Sequence, residues 1–339
     1  MEFKVGLRVA LLYSLAIGVS GAASLPALGA ERAAARTASR APEYPQRPIR
    51  FIDAFPAGGG TDFLARVIAQ KLTERLGQAV VVDNRPGATG NIGADIAAKS
   101  TSDGHTLFMG LTAILAPSAT LFPRLPYNLI KDFAYVTLVA SGTYVLVIHP
   151  AVPAKSVLEL LALAKSKRLS YGSSGVAGPL HLAVEILKSR TGIDLLHVPY
   201  KGAAPVVAAI TSGEVQLGFA SIAAALPLIN AGRLNALAVT SAKRVKSYPE
   251  LRTIAESGFP GFDVTPWYGV LAPAATPPAI VRLLNGEIGR ILQLPDVQAM
   301  FATQGLEASG STPEWFREIM QAEIEQWARV IRDANIKAE

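Results

Sequence analysis

The sequence predicts an α/β protein of two lobes, each a sheet flanked by helices, and three observations support this. The chain has 339 residues, more than a single hydrophobic core usually holds. Strand and helix patterns alternate in two separate runs, at residues 49–109 and 144–240, as expected for α/β units. Beyond residue 277 the pattern is helical only. We therefore expect two α/β units followed by a helical end.

The first run predicts a βαβαβ unit, which forms a parallel sheet with right-handed crossovers. A glycine-rich turn follows its first strand, and Thr61 or Asp62 can cap the helix that comes next. The predicted strands are 49–55, 79–83 and 105–109, and the predicted helices end near residues 76 and 99.

The second run predicts another α/β unit. Ser156 and Glu159 have the spacing of a capping box ahead of an apolar helix. Gly213 and Gly232 are placed to end helices, because glycine accepts the left-handed conformation found just after a helix. The predicted strands are 144–148, 169–171, 194–198, 215–219 and 236–240.

The last predicted helix begins at Thr312 and Pro313, a cap followed by proline in the first turn. Its apolar stripe needs a partner surface, and the first lobe is the natural one. The chain would then cross twice between the lobes, which forms a hinge beside a ligand cleft. The stripe consists of Trp315, Ile319, Ile324, Trp327 and Ile331. The predicted division is 44–142 plus 262–339 for lobe one and 143–261 for lobe two.

Residues 1–30 predict a secretory signal peptide. Lys4 and Arg8 precede an apolar core and a run of small residues. The uncharged run is long enough for an uncleaved membrane anchor, but its second half is rich in Gly, Ala, Ser and Pro, which favours cleavage. Residues 31–43 predict a flexible lead-in. We therefore expect a mature protein in the periplasm. The candidate cleavage sites follow Ala23, Ala30 and Ala35.

Composition and charge exclude several classes of function. The formal net charge is +6 without a block of basic residues, so nucleic acid is not an expected partner. There is no cysteine, which excludes disulfides, thiolate metal sites and cysteine nucleophiles. The histidines lack metal-binding spacing and no Ser/His/Asp set can be placed together, so no metal, cofactor or catalysis is expected. The four histidines are His105, His149, His181 and His197.

Two loops between a strand and a helix are the strongest candidates for ligand binding. In the loop 55–62, glycines let the backbone approach a ligand, and the helix start offers N–H groups to an anion. The alternative is an ordinary turn with an aspartate cap. The loop 171–175 offers Ser173 and Ser174 near another helix start. Facing each other across a cleft, the two loops would hold two carboxylates of one molecule.

A third glycine-rich segment, residues 87–93, has two interpretations. It could cradle an anion, or its glycines could pack a helix closely onto a sheet, and packing is the favoured interpretation. His181, as a lone histidine, is more often structural than a ligand contact.

An ordered set of short motifs runs through residues 44–337. The most specific are FPAGGGTD at 55–62, NRPGATGNIG at 84–93 and HVPYKG at 197–202, with shorter ones at 103–107, 125–133, 171–173, 181–183, 236–241, 258–262 and 267–269. By this set the chain resembles the substrate-binding proteins of tripartite tricarboxylate transporters, the Bug or TctC type.

The resemblance implies a type II-like periplasmic-binding-protein fold, in which two lobes close on a ligand like a Venus flytrap. It implies that the 55–62 loop holds a carboxylate, partly through bound waters, and that the 171–181 region holds the other end. It also implies a protein that binds a small organic acid and delivers it to integral membrane transporter subunits, without catalysis. We expect a monomer. The candidate ligand-binding residues are Phe55, Ala57, Gly58, Gly59, Thr61, Asp62, Thr112, Ser173, Ser174, Gly178, His181, Tyr200 and Trp267.

The sequence departs from the family pattern in ways that make the pocket less polar. Ala177, Gly178 and Pro179 stand where two hydroxyls and an N–H are usual, and Ala220 stands where an aspartate is common. Only Thr112 remains of a stretch usually rich in Ser and Thr. The ligand could therefore carry one carboxylate and an apolar or aromatic body. A sensory binding protein that docks on a receptor, and an enzyme on the same fold, remain alternatives.

Overall fold

The computed structural model describes residues 44–122, 124–175, 178–200, 202–245, 248–333 and 336–337. The predicted signal peptide and lead-in, residues 1–43, lie outside the described residues. Within the described residues the named strands form two separate sheets, one of six strands and one of five. No helix in this part of the chain combines the length and the apolar character needed to cross a bilayer.

The first sheet has the strand order β11-β4-β10-β3-β1-β2. Its strands are β1 (Ile49–Asp53), β2 (Val80–Asn84), β3 (Thr106–Leu111), β4 (Phe133–Ser141), β10 (Trp267–Pro273) and β11 (Glu307–Ala308). β1 is parallel to β2 and β3, as the βαβαβ pattern predicted. β10 is antiparallel to both β3 and β4. The sheet is therefore mixed, because strands that the sequence patterns did not single out complete it on one side.

The second sheet has the strand order β7-β6-β8-β5-β9. Its strands are β5 (Tyr144–Ile148), β6 (Leu169–Ser173), β7 (Leu195–Pro199), β8 (Leu217–Ser221) and β9 (Asn235–Val239). β6 is parallel to β7 and β8, whereas β5 is antiparallel to β8 and β9. All five strands coincide with predicted ones, shifted by no more than two residues at either end.

Ten α-helices connect and flank these strands in the described residues. They are α1 (Gly60–Leu76), α2 (Asn91–Ala98), α3 (Thr112–Leu121), α4 (Val157–Ser166), α5 (Pro179–Thr191), α6 (Ala203–Ser212), α7 (Ile222–Asn230), α8 (Pro278–Leu292), α9 (Pro295–Thr303) and α10 (Pro313–Asp333). α1 ends at Gly77, whose left-handed backbone (φ 69°) lets its N–H donate to the Thr73 carbonyl at 3.1 Å. At the start of α4 the Ser156 hydroxyl accepts from the Glu159 N–H, as the capping pattern predicted.

Helices cover both faces of the second sheet, which explains why β5 has no exposed residue. All five residues of β5 are buried. Leu146 packs in one apolar cluster with residues of α4 and α5. Val145 and Val147 pack in another with residues of α6 and α7. Since successive side chains point to opposite faces, helices on both sides of the sheet require a strand that is apolar throughout.

The last helix, α10, packs against α3 and β4 of the first-sheet half. The buried residues of α10 are Phe316, Met320, Trp327 and Ile331. Trp315, which the sequence pattern placed on the buried stripe, is 44% exposed, so that part of the prediction was wrong. The residues 316, 320, 327 and 331 repeat at helical spacing, and Trp315 lies beside this line.

The chain passes between the sheets at residues 142–143 and 262–266, and these two segments lie side by side. The Gly142 N–H donates to the Pro266 carbonyl at 2.9 Å. The Thr240 hydroxyl, at the end of β9, donates to the Val264 carbonyl at 2.8 Å. We call residues 142–143 and 262–266 the crossing segments. The lobe boundaries named above stay a prediction, with which this distribution of strands agrees.

Candidate functional site

One edge of the first sheet collects the candidate residues of the first half. β1 and β3 are parallel, so both end at this edge, and the antiparallel β10 begins there. The loop after β1, the residue after β3 and the first residue of β10 therefore lie along one edge. These are the loop 54–59, Thr112 and Trp267.

Buried polar groups fix the loop 54–59 to the end of the sheet. Asp53, at the end of β1, accepts from the Thr61 hydroxyl at 3.2 Å and from the Asn84 side-chain amide at 3.2 Å. The Asn84 amide also donates to the Phe55 carbonyl and to Asp62, both at 3.0 Å. Asp53, Thr61 and Asp62 are all buried. The loop is thus held from β1, β2 and α1 together.

Asp62 and Thr61 do not cap α1, contrary to the sequence prediction. The helix begins at Gly60 with Gly59 as its N-cap, without a side-chain cap, so both residues lie inside its first turn. Asp62 instead accepts from the Gly58 N–H at 2.8 Å and from Arg66 at 2.9 Å. A carboxylate in the first helical turn can reach back to the preceding backbone in this way.

The pKa values of the two aspartates in this network, Asp53 and Asp62, are shifted in opposite directions. Burial raises the pKa of Asp53 to about 6, against hydrogen bonds from Thr61 and Phe55 that lower it. For Asp62, burial also acts to raise the pKa, but hydrogen bonds from Arg66, Gly58 and Asn84 outweigh it and lower the pKa to about 2. Asp62 is therefore firmly ionised at neutral pH.

Residues 56–60 of this loop are exposed, so a ligand can approach them. The N–H groups of Gly58 and Gly59 are used within the loop, since they donate to Asp62 and to the Pro56 carbonyl. The donors left for an anion are the N–H groups of the first turn of α1, which have no partner within the helix. Gly58 needs to be glycine for its backbone (φ 86°), whereas Gly59 has an ordinary φ of −79°.

Thr112 and Trp267 are in contact. The backbone N–H of Trp267 donates to the Thr112 hydroxyl oxygen at 3.3 Å. The Thr112 hydroxyl donates to Glu323 of α10 at 3.2 Å, and Glu323 also accepts from the Trp327 indole N–H at 3.2 Å. Sequence reasoning missed Glu323. A signal was present, because Glu323 lies seven residues after Phe316 and four before Trp327, on the buried face of the helix.

The candidate residues of the second half also lie at the ends of strands. Ser173 ends β6 and is buried, and its hydroxyl lies 2.6 Å from Nε2 of His197 on β7. The ring of His197 stacks on that of His181, with centroids 4.1 Å apart. The Tyr171 ring lies beside both histidines and nearly parallel to them, with its centroid 4.9 Å from that of His197 and 6.3 Å from that of His181. His181 is therefore not a lone histidine, as its sequence position suggested.

This aromatic stack is anchored from one end. The Tyr171 hydroxyl donates to Glu185 at 2.7 Å, and Lys188 donates to the same carboxylate oxygen at 2.8 Å. Burial lowers the pKa of His181 to about 4, and the neighbouring His197 lowers it as well. His181 is therefore neutral at pH 7. Sequence reasoning did not single out His197 or Glu185 for the site, because nothing in the spacing places β7 beside α5.

The remaining candidates of the second half are arranged less closely. The Gly178 N–H donates to the Gly175 carbonyl at 3.2 Å, and a side chain at Gly178 would come within 3.1 Å of the Ser174 hydroxyl. The Tyr200 hydroxyl donates to Glu214 at 2.8 Å. The Tyr200 ring packs on the sheet face that α6 covers. The family departure at Ala177 lies outside the described residues.

The segment 87–93 packs a helix onto the sheet, as the favoured interpretation expected. A Cβ at Gly93 would lie 2.8 Å from Cα of Ala54, closer than two such carbons can come. Ala88 and Thr89 adopt positive φ angles, which turn the chain into α2. Within the described stretches, no group of three His, Asp or Glu residues is placed to hold a metal ion.

Comparisons with known proteins identify the family of this chain. The model of the tripartite tricarboxylate transporter family receptor matches residues 64–336. Protein BugT of Bordetella pertussis is 39% identical over 297 residues, which cover 87% of this chain and 91% of BugT. A protein encoded in the tcbD–tcbE intergenic region of Pseudomonas sp. strain P51 is 38% identical over 304 residues, which cover 89% of this chain and 90% of that protein.

Solved structures with the same fold include two with bound acids. Rpa4515 of R. palustris, solved with adipate, is 36% identical with a TM-score of 0.77, over 87% of this chain and 99% of that one. MatC of Rhodopseudomonas palustris, solved with malate, is 29% identical with a TM-score of 0.73, over 85% of this chain and 100% of that one. The predicted two-lobed periplasmic-binding-protein fold is thus confirmed. The chain belongs to the tripartite tricarboxylate transporter receptor family and is a solute-binding protein of the Bug and TctC type, not an enzyme.

Proposed function

We propose that this protein captures a small carboxylate-bearing metabolite in the periplasm and delivers it to a tripartite tricarboxylate-type membrane transporter. The observation that carries the proposal is the exposed loop 56–60, held by Asp53, Asn84 and Asp62 so that the first turn of α1 offers its N–H groups. Adipate and malate in two related structures support a carboxylate as the group bound.

The second half would hold the rest of the ligand. Ser173 ends β6 at the corresponding edge of the second sheet, from which the chain crosses to the first. The buried rings of His181 and Tyr171 lie next to His197, which contacts Ser173. At neutral pH His181 is uncharged, so this side recognises its ligand by hydrogen bonding and by stacking rather than by a full positive charge. Because few hydroxyls remain on either side, we propose a ligand with one carboxylate and an apolar or aromatic body.

Calorimetric titration with a panel of acids tests the proposal. The panel contains hexanoate, 3-phenylpropionate, adipate and malate at pH 7, and hexanol serves as the control without a carboxylate. We expect at least one acid to bind and hexanol not to bind. Small-angle scattering with the tightest acid should show compaction, because a ligand that touches both lobes favours the closed state. If no acid binds, or if hexanol binds equally well, carboxylate capture is wrong.

Export is the second part of the proposal. The charged start, the apolar core and the small residues that follow support secretion and cleavage. N-terminal sequencing of the protein from the periplasmic fraction should give a start after residue 20 and before Tyr44. An intact Met1 on soluble periplasmic protein would contradict cleavage.

A further inference from the structure

A small cavity lies where the second crossing segment meets the last helix. Its volume is about 130 Å³. Its wall contains two indoles and two carboxyl groups, Trp267, Trp327, Asp263 and Glu323. Trp267 is also one of the candidate ligand-binding residues, so the cavity adjoins the proposed site. A ligand that reaches Trp267 therefore meets these acids.

The hydrogen-bonding capacity of Thr112 is already used on this side. Its hydroxyl has one proton, which it donates to Glu323 at 3.2 Å. Its oxygen accepts from the backbone N–H of Trp267 at 3.3 Å. A hydroxyl offers one donor only, so Thr112 cannot donate to a ligand carboxylate while Glu323 keeps that bond. The Thr112 hydroxyl is thus not available to an anion.

The charged groups around Glu323 are acidic or neutral. Asp263 of the crossing segment faces it, and the Tyr144 hydroxyl group of β5 lies near enough to be influenced by it. No Lys or Arg among the described residues forms an ion pair with Asp263 or Glu323. Lys243 and Arg244 border a neighbouring cavity of about 270 Å³ that Asp263 and Trp267 also line. Arg244 is paired with Glu256.

We propose that Glu323 is a specificity-determining residue: it makes the small cavity between Trp267 and Trp327, whose lining contains no Lys or Arg among the described residues, reject a second carboxylate and accept an apolar or aromatic body. This inference rests on the proposed function and narrows its ligand class to monocarboxylates. A second ligand carboxylate here would face both Glu323 and Asp263, and the Thr112 proton is already donated to Glu323. Like charges brought together without a counter-ion strongly oppose binding.

The protonation of Glu323 supports the same assignment and gives it a pH signature. Burial, together with the charge of Asp263, raises the pKa of Glu323 to about 7, against hydrogen bonds from Trp327 and Thr112 that lower it. As pH rises through 7, Glu323 gains its negative charge. Affinity for a dicarboxylate should therefore fall across this range, while affinity for a monocarboxylate with an apolar body changes little.

The test compares adipate with hexanoate, which differ by one terminal carboxylate, on the wild-type protein and on Glu323→Gln. Glutamine can still accept from Thr112 but carries no charge and adds an N–H donor. At pH 8 we expect the variant to bind adipate about tenfold more tightly or more than the wild type does, with hexanoate affinity within about threefold. The adipate affinity of the variant should not depend on pH between 7 and about 8.5, because Asp53, whose pKa burial raises to about 6, is already ionised in this range.

Glu325→Gln is the matched control, because Glu325 is exposed on the same helix. It should leave both affinities unchanged. Intrinsic fluorescence of the protein without ligand adds a second readout: all three tryptophans, Trp267, Trp315 and Trp327, lie in this region, and a transition near pH 7 should disappear in Glu323→Gln.

Two failures can be told apart. If neither acid binds the wild type or the variant, the proposed function is wrong for these acids. If hexanoate and adipate change together in Glu323→Gln, or if neither changes, Glu323 does not select the ligand and the inference is overturned.

Discussion

The imidazole rings of His181 and His197 lie face to face, with centroids 4.1 Å apart and planes 5° from parallel. His181 comes from α5 and His197 from β7, and the Tyr171 ring of β6 lies beside both. Two stacked imidazoles cannot both become cationic without strong repulsion. The arrangement therefore favours neutral rings and makes the folded state sensitive to acid.

Replacing His181 should reduce the loss of stability in acid. The folded-state pKa of His181 is lowered to about 4 from an ordinary value of 6.5. Below pH 6.5 the unfolded chain takes up a proton that the folded chain refuses, so stability falls as pH drops from 6.5 toward 4. In His181→Phe we expect the difference in unfolding free energy between pH 7 and pH 5 to shrink by about 2 kcal/mol, measured by urea unfolding.

His149→Gln is the control for this prediction, since His149 lies outside the stack at the end of β5. Its acid profile should match that of the wild type. An unchanged profile in His181→Phe would mean that His181 is protonated in the folded protein at pH 5.

Gly59→Val should weaken acid binding without destabilising the fold. Gly59 has an ordinary φ of −79°, and the nearest atom to an added Cβ is the Pro56 carbonyl oxygen at 3.4 Å. The fold therefore has no need of glycine at this position, but a branched side chain beside the start of α1 would obstruct an approaching carboxylate. We expect an unchanged melting temperature and about a tenfold or larger loss of affinity in calorimetric titration, as for a lost charge-assisted hydrogen bond.

Gly77→Val provides the contrast. Gly77 has a φ of 69° with open space around it, so a side chain there strains the backbone but is remote from the loop. This variant should melt at a lower temperature and bind normally. If Gly59→Val binds like the wild type, the loop 55–62 is only a turn.

Asp62→Ala should reduce stability and affinity together. The carboxylate accepts from the Gly58 N–H, the Asn84 amide and Arg66. Its removal leaves two loop-fixing donors without their partner and frees the loop. We expect a loss of about 2 kcal/mol in the free energy of unfolding, typical of hydrogen bonds to a charged group. Glu74→Ala, on the exposed face of the same helix, should be nearly neutral.

The pH dependence of this contribution has a definite sign. The pKa of Asp62 is lowered from 3.8 to about 2, so its stabilisation is complete above pH 4 and is lost as pH falls toward 2. The gap in stability between wild type and Asp62→Ala should close over this range. A gap that stays constant down to pH 2 would contradict the ion pair and hydrogen bonds assigned to Asp62.

The sequence alone was sufficient for the parallel parts of both sheets. Local patterns reveal β1, β2 and β6, because each is a short segment next to a predicted helix, and β1 and β2 are also rich in apolar residues. They do not reveal that β10 enters between β3 and β4. That pairing joins segments far apart in the chain, and no local spacing records it.

The candidate site could be predicted only where glycines and caps mark it. The loop 55–62 has such a local signature, although the role of Asp62 was misjudged, because a first-turn acid and an N-cap look alike in sequence. The contacts of Ser173 with His197 and of Thr112 with Glu323 join residues 24 and 211 positions apart. Such contacts form only in the folded protein, and no regular spacing in the sequence predicts them.

The packing of the last helix on the first sheet leads to a prediction with opposite signs at two glycines. A Cβ at Gly269 of β10 would lie 2.3 Å from the Phe316 ring of α10 and 3.1 Å from the Thr137 carbonyl oxygen. Phe316 is fully buried against Tyr135, so its ring cannot yield without displacing α10. Gly269→Ala should therefore lower the free energy of unfolding by about 1–3 kcal/mol, the usual range for overpacking a core.

Gly289 provides the opposite case. It lies inside α8, and an added Cβ would meet no atom within 4 Å. Alanine there reduces the freedom of the unfolded chain and favours the helix, so Gly289→Ala should raise the free energy of unfolding by about 0.5–1 kcal/mol. Urea unfolding of both variants measures the pair. If Gly269→Ala is as stable as the wild type, α10 does not press on β10 as described, because only a displaced Phe316 leaves room for the methyl group.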